Sequence, residues 1–172
     1  MNDILVSIII VNYNTCPLTC ACIDSIFQNV HSCKFEVILV DNASSDNSII
    51  EIKRRYASSV KLVASDSNLG FGRANNLGVK HAFGQYLFLL NSDTVLRNDP
   101  FSYFFEFLHR RENIGALGAY LKDGNRVYTK SGGNFYSMSK YLMMGVKRFF
   151  FVPSNEEIPL SNDSCKVEYV IG

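Results

Sequence analysis

The stretch Gly84-Gln85-Tyr86-Leu87-Phe88-Leu89-Leu90-Asn91-Ser92-Asp93 runs from an unbroken apolar segment straight into a polar cluster. An apolar run of this kind, opened by a glycine, predicts a strand buried on both faces. Asn91-Ser92-Asp93 then stands at its carboxyl end, the edge of an open α/β sheet where ligands bind. A carboxylate with an amide and a hydroxyl beside it suits a hard divalent cation carrying phosphate oxygens. A lone Asp could equally cap the next turn, so the weight falls on the rest of the chain.

Upstream, Ile4 to Val11 is rich in β-branched residues and predicts the first buried strand, with Asn12-Tyr13-Asn14-Thr15 as the loop after it. Thr15 is the expected cap of a helix with Pro17 in its first turn, reaching about Gln28, with Leu18, Cys22, Ile26 and Phe27 toward the core. Phe35 to Val40 is the second strand and ends on Asp41-Asn42-Ala43-Ser44-Ser45-Asp46. Ser45 or Asp46 should cap a helix to about Tyr56, with Ile49, Ile52 and Tyr56 at helical spacing and Lys53, Arg54 and Arg55 near its negative end. Val60 to Ala64 is a third strand, and the turn-rich segment from Asp66 to Gly72 feeds a helix that reaches about Phe83.

Downstream of the opening stretch, Pro100 starts a helix whose Phe101, Phe104, Phe105 and Leu108 form a core face. Ile114 to Tyr120 is an expected fifth strand, Asp123-Gly124-Asn125 a hairpin turn leading to Arg126 through Lys130, and Ser131-Gly132-Gly133 a further turn. Strands alternating with helices imply an α/β fold: a mainly parallel sheet with helices on both faces.

At 172 residues, 47% hydrophobic and 19% charged, the chain reads as one globular domain and not as a disordered segment. A net charge of +1 with scattered Lys and Arg argues against a nucleic-acid partner. The first apolar run is too short, and too interrupted by Ser7, Asn12 and Asn14, for a signal peptide or a membrane span. Five cysteines, an odd count, point to reduced thiols and a cytoplasmic setting. Cys16, Cys20 and Cys22 have no partner pair at zinc-finger spacing and read as small buried thiols on a helix. The apolar, aromatic segment from Tyr141 to Val152 carries Lys147 and Arg148 in its middle. Packing against other protein is its expected role, and peripheral contact with a membrane interface is the alternative.

Three of the first four strands end in polar clusters, and right-handed crossovers bring those ends to one edge of the sheet. Aromatic, amide and carboxylate groups gathered there suit a nucleoside diphosphate better than an acyl substrate. No Gly-x-Ser-x-Gly elbow is present. A dinucleotide site would need glycines straight after the first strand, where Val11-Asn12-Tyr13-Asn14-Thr15 has none, and no P-loop exists.

The segments Ser7 to Asn14, Val40 to Asp46, Asn68 to Gly78 and Leu89 to Asp93 together resemble the ordered motifs of the family 2 glycosyltransferases, most closely the rhamnosyltransferase-like branch. The resemblance covers residues 4–120 and implies a GT-A fold, a nucleotide-sugar donor and transfer with inversion at the anomeric carbon. It implies donor contacts from Val11, Asn12, Tyr13, Asn14, Asp41, Asn42, Ser44, Gly70, Asn75, Asn91 and Ser92. Val11 and Tyr13 would line the base pocket, Asp41 would accept from the base N–H, and Asn91 would face the ribose or the metal shell. Asp93, in the place of the family's Asp-x-Asp motif, would hold Mg²⁺ or Mn²⁺.

Two departures stand out: Asn91 replaces the first Asp of that motif, and the family's acceptor half, with its catalytic base, is expected beyond Gly172. Asp123, Asp163 and Glu168 match no base motif and read as solvated surface acids. Residues 1–120 would then be the nucleotide-sugar-binding half of one domain and residues 121–172 the start of an incomplete acceptor half. The resemblance implies a UDP- or dTDP-linked donor and a cell-surface polysaccharide or lipid-linked saccharide acceptor, used at the inner face of the membrane. Self-association through the uncovered apolar face is also expected. Two rival readings are a nucleotide-sugar-binding fragment without catalysis and, more weakly, a sugar nucleotidyltransferase, which would want a Gly-rich basic loop after the first strand.

Overall fold

The computed structural model describes residues 4–110 and 114–119, and the backbone of 121–122, 128–129, 132–133 and 169–170. The chain divides into two compact units, residues 1–112 and 113–172, and each is taken by itself.

In the first unit, β1 (Val6–Asn12), α1 (Cys16–Asn29), β2 (Phe35–Asp41), α2 (Ser48–Tyr56), β3 (Val60–Ala64), α3 (Phe71–Val79), β4 (Tyr86–Asn91) and α4 (Phe101–His109) alternate. The four strands form one parallel sheet in the order β3-β2-β1-β4. β1 and β2, with a strand on either side, carry the β-branched run and are almost wholly buried. Their residues Ile8, Ile10, Val37 and Leu39 pack with Cys22, Ile23 and Ile26 of α1 and with Ile52 of α2.

Parallel strands in register bring their carboxyl ends to one line: Asn12 pairs with Asp41, and Val11 with both Val40 and Asn91. Two glycines set the spacing of the layers. A Cβ on Gly78 of α3 would stand 2.5 Å from Ile9 Cγ2, and one on Gly84 would stand 2.5 Å from the Ser7 backbone nitrogen.

Several local expectations are corrected. β4 stands at the edge of the sheet formed by the described strands, and only one of its faces is packed. One face packs on α4, with Phe88 edge-on to Phe101 at 5.1 Å and Tyr86 at 5.5 Å from Phe105. Leu87 and Leu89 on the other face are about half exposed. The buried stripe of α1 is Thr19, Cys20, Cys22, Ile23, Ser25 and Ile26, so Leu18 and Phe27 lie outside it. Two polar residues take that stripe because their hydroxyls find partners inside. α3 stops at Val79, short of Phe83, and α2 starts at Ser48.

In the second unit, residues 114–119 form no strand; Gly115 and Gly118 leave little side chain to pack there. A hairpin pairing does follow, but between β5 (Leu121–Lys122) and β6 (Tyr128–Thr129). Gly132 and Gly133, expected in a turn, form β7 (Gly132–Gly133), antiparallel to β8 (Tyr169–Val170). The segment from Tyr141 to Val152 and the acids Asp123, Asp163 and Glu168 lie outside the described residues. No helix among the described residues is long and apolar enough to cross a membrane.

Candidate functional site

The site is the line of strand ends, and its centre is Asn12, the last residue of β1. Asn12 has no exposed surface. Its Nδ2 donates to Asp41 Oδ1 at 2.7 Å and to Ser44 Oγ at 2.9 Å. Its Oδ1 accepts from Thr19 Oγ1 at 2.7 Å and from Thr15 Oγ1 at 3.0 Å. Thr15 stands at the N-terminal boundary of α1 but makes no side-chain cap; its hydroxyl turns instead toward Asn12 and toward Ser92 Oγ, 3.3 Å away.

Asp41 ends β2 and is also fully buried. Its second oxygen accepts the Ser44 N–H at 2.9 Å, so one oxygen holds the end of β1 and the other the loop that follows β2. Asn42 is engaged in the same way, donating to Asn68 Oδ1 at 2.9 Å and accepting from the Leu69 N–H at 2.8 Å. That pairing carries the segment before α3 to the edge of β2. Gly70 then enters α3 at φ 75° and ψ 161°, a backbone conformation open essentially to glycine alone.

Asn14 and Ala43 lie at φ 55° and 64°, in the left-handed region. From there Asn14 Oδ1 accepts the Ser45 N–H at 2.8 Å and the Asp46 N–H at 3.3 Å, clamping the β1–α1 loop to the β2–α2 loop. Asp46 Oδ1 accepts the Ser48 N–H at 3.0 Å and the Ser48 hydroxyl at closer range, but the cap position of α2 falls on Asn47 and not on Ser45 or Asp46. The Ser48 hydroxyl does most to hold the Asp46 carboxyl below its usual range.

At the end of β4, Asn91 to Thr94 form a turn closed by the Thr94 N–H on the Asn91 carbonyl at 3.1 Å. The same carbonyl receives the Cys22 thiol at 3.6 Å. Burial, and secondarily the Asp93 carboxylate nearby, push that thiol up to about 12. Asp93 itself is exposed and carries no hydrogen bond or salt bridge among the described residues.

The structure therefore divides the expected donor residues. Tyr13, Asn14, Gly70 and Asp93 are exposed, and Val11, Ser44, Asn91 and Ser92 are half-buried, all close to strand ends or helix starts. Asn12, Asp41, Asn42 and Asn75 are buried, with Asn75 Nδ2 spent on the Phe71 carbonyl at 3.0 Å. Asp41, expected to accept from the base N–H, is wholly buried, and each of its oxygens already accepts one internal hydrogen bond. Thr15 and Thr19 were missed as part of the site. Their one signal in the sequence is a pair of hydroxyls four residues apart just after a strand that ends in Asn.

A single exposed carboxylate fits Mg²⁺ or Mn²⁺, which are commonly held by one or two carboxylates and completed by substrate phosphates. No group of three metal-ligating side chains exists among the described residues.

Comparison with known proteins shows the fold and the family. The UDP-Glc:alpha-D-GlcNAc-diphosphoundecaprenol beta-1,3-glucosyltransferase WfgD of Escherichia coli is 32% identical over 95 residues, covering 55% of this chain and 37% of WfgD. The Pyrobaculum calidifontis mannosyltransferase PcManGT, solved with GDP-Man and Mn²⁺, superposes with a TM-score of 0.50 at 26% identity, over 54% of this chain and 28% of its own. Staphylococcus aureus TarS, residues 1–349 in complex with UDP-GlcNAc, shares the fold with a TM-score of 0.56 at 21% identity, over 62% of this chain and 32% of its own. The parallel sheet and its flanking helices are those of a GT-A fold. The chain spans about half or less of the length of the curated relatives it matches. The family model described as Glycosyl transferase family 2 matches residues 7–157, most of the sequence, and the chain belongs to that family.

Proposed function

We propose that this chain binds the donor of an inverting glycosyl transfer: a UDP- or dTDP-linked sugar, with Mg²⁺ or Mn²⁺ on its diphosphate at Asp93. The acceptor in this reading is a polysaccharide or lipid-linked saccharide, presented at the inner face of the membrane. The observation that carries it is the exposed Asp93 carboxylate just past the end of β4, without a hydrogen bond or salt bridge among the described residues, on the sheet edge shared with Asn12 and Asp41. The name of WfgD, with its UDP-glucose donor and diphosphoundecaprenol-linked acceptor, supports both substrate classes. The Mn²⁺ in PcManGT supports the metal. The narrower likeness to the rhamnosyltransferase-like branch rests on motif wording alone.

In this reading the base lies beside the exposed ring of Tyr13, against Val11. Ser44 Oγ already accepts from Asn12 and from the Asn14 N–H at 3.0 Å, which leaves its hydrogen to donate to the donor nucleoside. Asp41 underlies this pocket and does not read the base. The metal, when bound, stabilises the negative charge that develops on the leaving diphosphate. Asn91 and Ser92 hold the turn that aims Asp93 outward, and a carboxylate of the acceptor half would take the acceptor's proton.

Titration calorimetry tests the assignment. UDP affinity should rise when Mn²⁺ is added, and Asp93→Ala should abolish the gain while leaving metal-free binding in place. An equal metal effect in the variant would remove Asp93 from the site. The same titrations with CDP test the base pocket. If Asp41 only underlies it, Asp41→Asn should weaken UDP and CDP alike. A loss confined to UDP would mean that the carboxylate reads the imide.

A further inference from the structure

The hydrogen bonds around Asn12 have a direction. A carboxylate only accepts, so the Asn12 amide NH₂ must face Asp41, and its oxygen must face Thr15 and Thr19. Thr15 spends its one hydrogen on Asn12 Oδ1, at 3.0 Å, and so can only accept from Ser92, at 3.3 Å. The chain of donors therefore runs one way: Ser92 to Thr15, Thr15 to Asn12, Asn12 to Asp41, and ends on a buried charge that polarises every link behind it. Its two ends belong to different connections of the sheet edge. Ser92 belongs to the turn that presents Asp93, and Asp41 Oδ2 holds the Ser44 N–H at 2.9 Å in the β2–α2 loop. Asn12 has no surface with which to touch a ligand.

We propose that Asn12 and Thr15 are positioning residues that couple the metal end of the donor site to its nucleoside end. Occupancy of the turn at residues 91–94 firms the loop at residues 42–47, and the converse, as linkage requires. This rests on the donor-site reading above. The Thr15 hydroxyl is the element that can be removed without touching either end.

Hydrogen–deuterium exchange on the full chain, with Mn²⁺ alone and with UDP alone, tests the coupling. In the unsubstituted protein each ligand should slow exchange both at Ser44 and at Thr94, by about fivefold at the distant segment. Thr15→Val keeps the side chain's shape and should confine each ligand's effect to its own segment, while Thr15→Ser should restore the spread. Ser92→Ala breaks the same Ser92–Thr15 link from its other side and should behave as Thr15→Val does. Confinement already present in the unsubstituted protein, or spread persisting in both variants, would overturn the proposal. If neither ligand slows exchange anywhere, the donor-site reading is what fails, and the unliganded rates decide the coupling. Faster exchange at Ser44 and Thr94 in Thr15→Val would support it; unchanged rates would sink it.

Discussion

Asn12 Nδ2 lies 2.7 Å from Asp41 Oδ1, and neither residue has exposed surface. A buried carboxylate oxygen that loses a donor pays its desolvation in full. Asn12→Leu, similar in size and without the amide, should therefore cost about 1.5–3 kcal/mol. Asn12→Asp should cost more, because two carboxyls at this distance cannot both ionise. Urea denaturation with an unchanged slope is the measurement, and a loss below about 0.5 kcal/mol would mean that water replaces the amide.

Gly72 and Gly78, six positions apart in α3, should respond in opposite directions to alanine. At Gly78 the new Cβ would meet Ile9 Cγ2 at 2.5 Å and Val40 Cγ2 at 3.1 Å, inside the packed face of the sheet. Overpacking of this kind costs about 1–3 kcal/mol. At Gly72 nothing lies within 4 Å, and the change should stabilise α3 by about 0.5 kcal/mol. Thermal unfolding of the two variants side by side checks both signs.

Cys22 should resist alkylation in the folded protein. Its thiol is fully buried and, through that burial and the nearby Asp93, pushed up to about 12, so the reactive thiolate is scarce. Cys16 and Cys33 are only half-buried and should react first. Mass spectrometry after brief iodoacetamide treatment should find Cys22 labelled only when urea is present.

Asp99 gives the fold a dependence on acid. Its Oδ2 accepts the His31 and Ser32 N–H groups at 2.8 and 2.7 Å, and its Oδ1 accepts that of Phe101 at 2.9 Å. Burial works to raise its pKa, but these three donors together bring it below the usual carboxylate value. A group whose folded pKa is depressed contributes stability above its unfolded pKa, and that stability is lost as pH falls through the folded value. The urea midpoint should hold near neutrality and decline below about pH 4. Asp99→Asn should lower the plateau and flatten the decline.

Much of this fold could be read from residue order, because strands β1 to β4 each carry an apolar run that stops at a polar cluster or a loop. The open face of β4 could not. Tyr86 to Leu90 looks like a strand buried on both faces, and only the folded chain shows that the face carrying Leu87 and Leu89 is about half exposed. The site was legible as a place more than as a set of roles. Asn12, Asp41, Asn42 and Tyr13 all follow apolar runs, and composition cannot say which of them turn inward. The clamp of Asn14 on Ser45 and Asp46 closes the loops over the first three and leaves the Tyr13 ring outside. Thr15 fits a helix cap by type and place, but the buried Asn12 oxygen competes for its hydroxyl and wins.

The central place of β1 has a consequence for how the chain comes to be folded. β1 is made first, yet its two sides are completed by β2 and by β4, with Val6 opposite both Phe35 and Tyr86. Its second edge must wait, unpaired, while two further strands and three helices are synthesised. Contacts so distant along the chain slow folding and leave a sticky intermediate exposed. Emerging from a ribosome, the Val6-Ser7-Ile8-Ile9-Ile10-Val11 segment would keep one edge open to wrong partners until Asn91 has appeared.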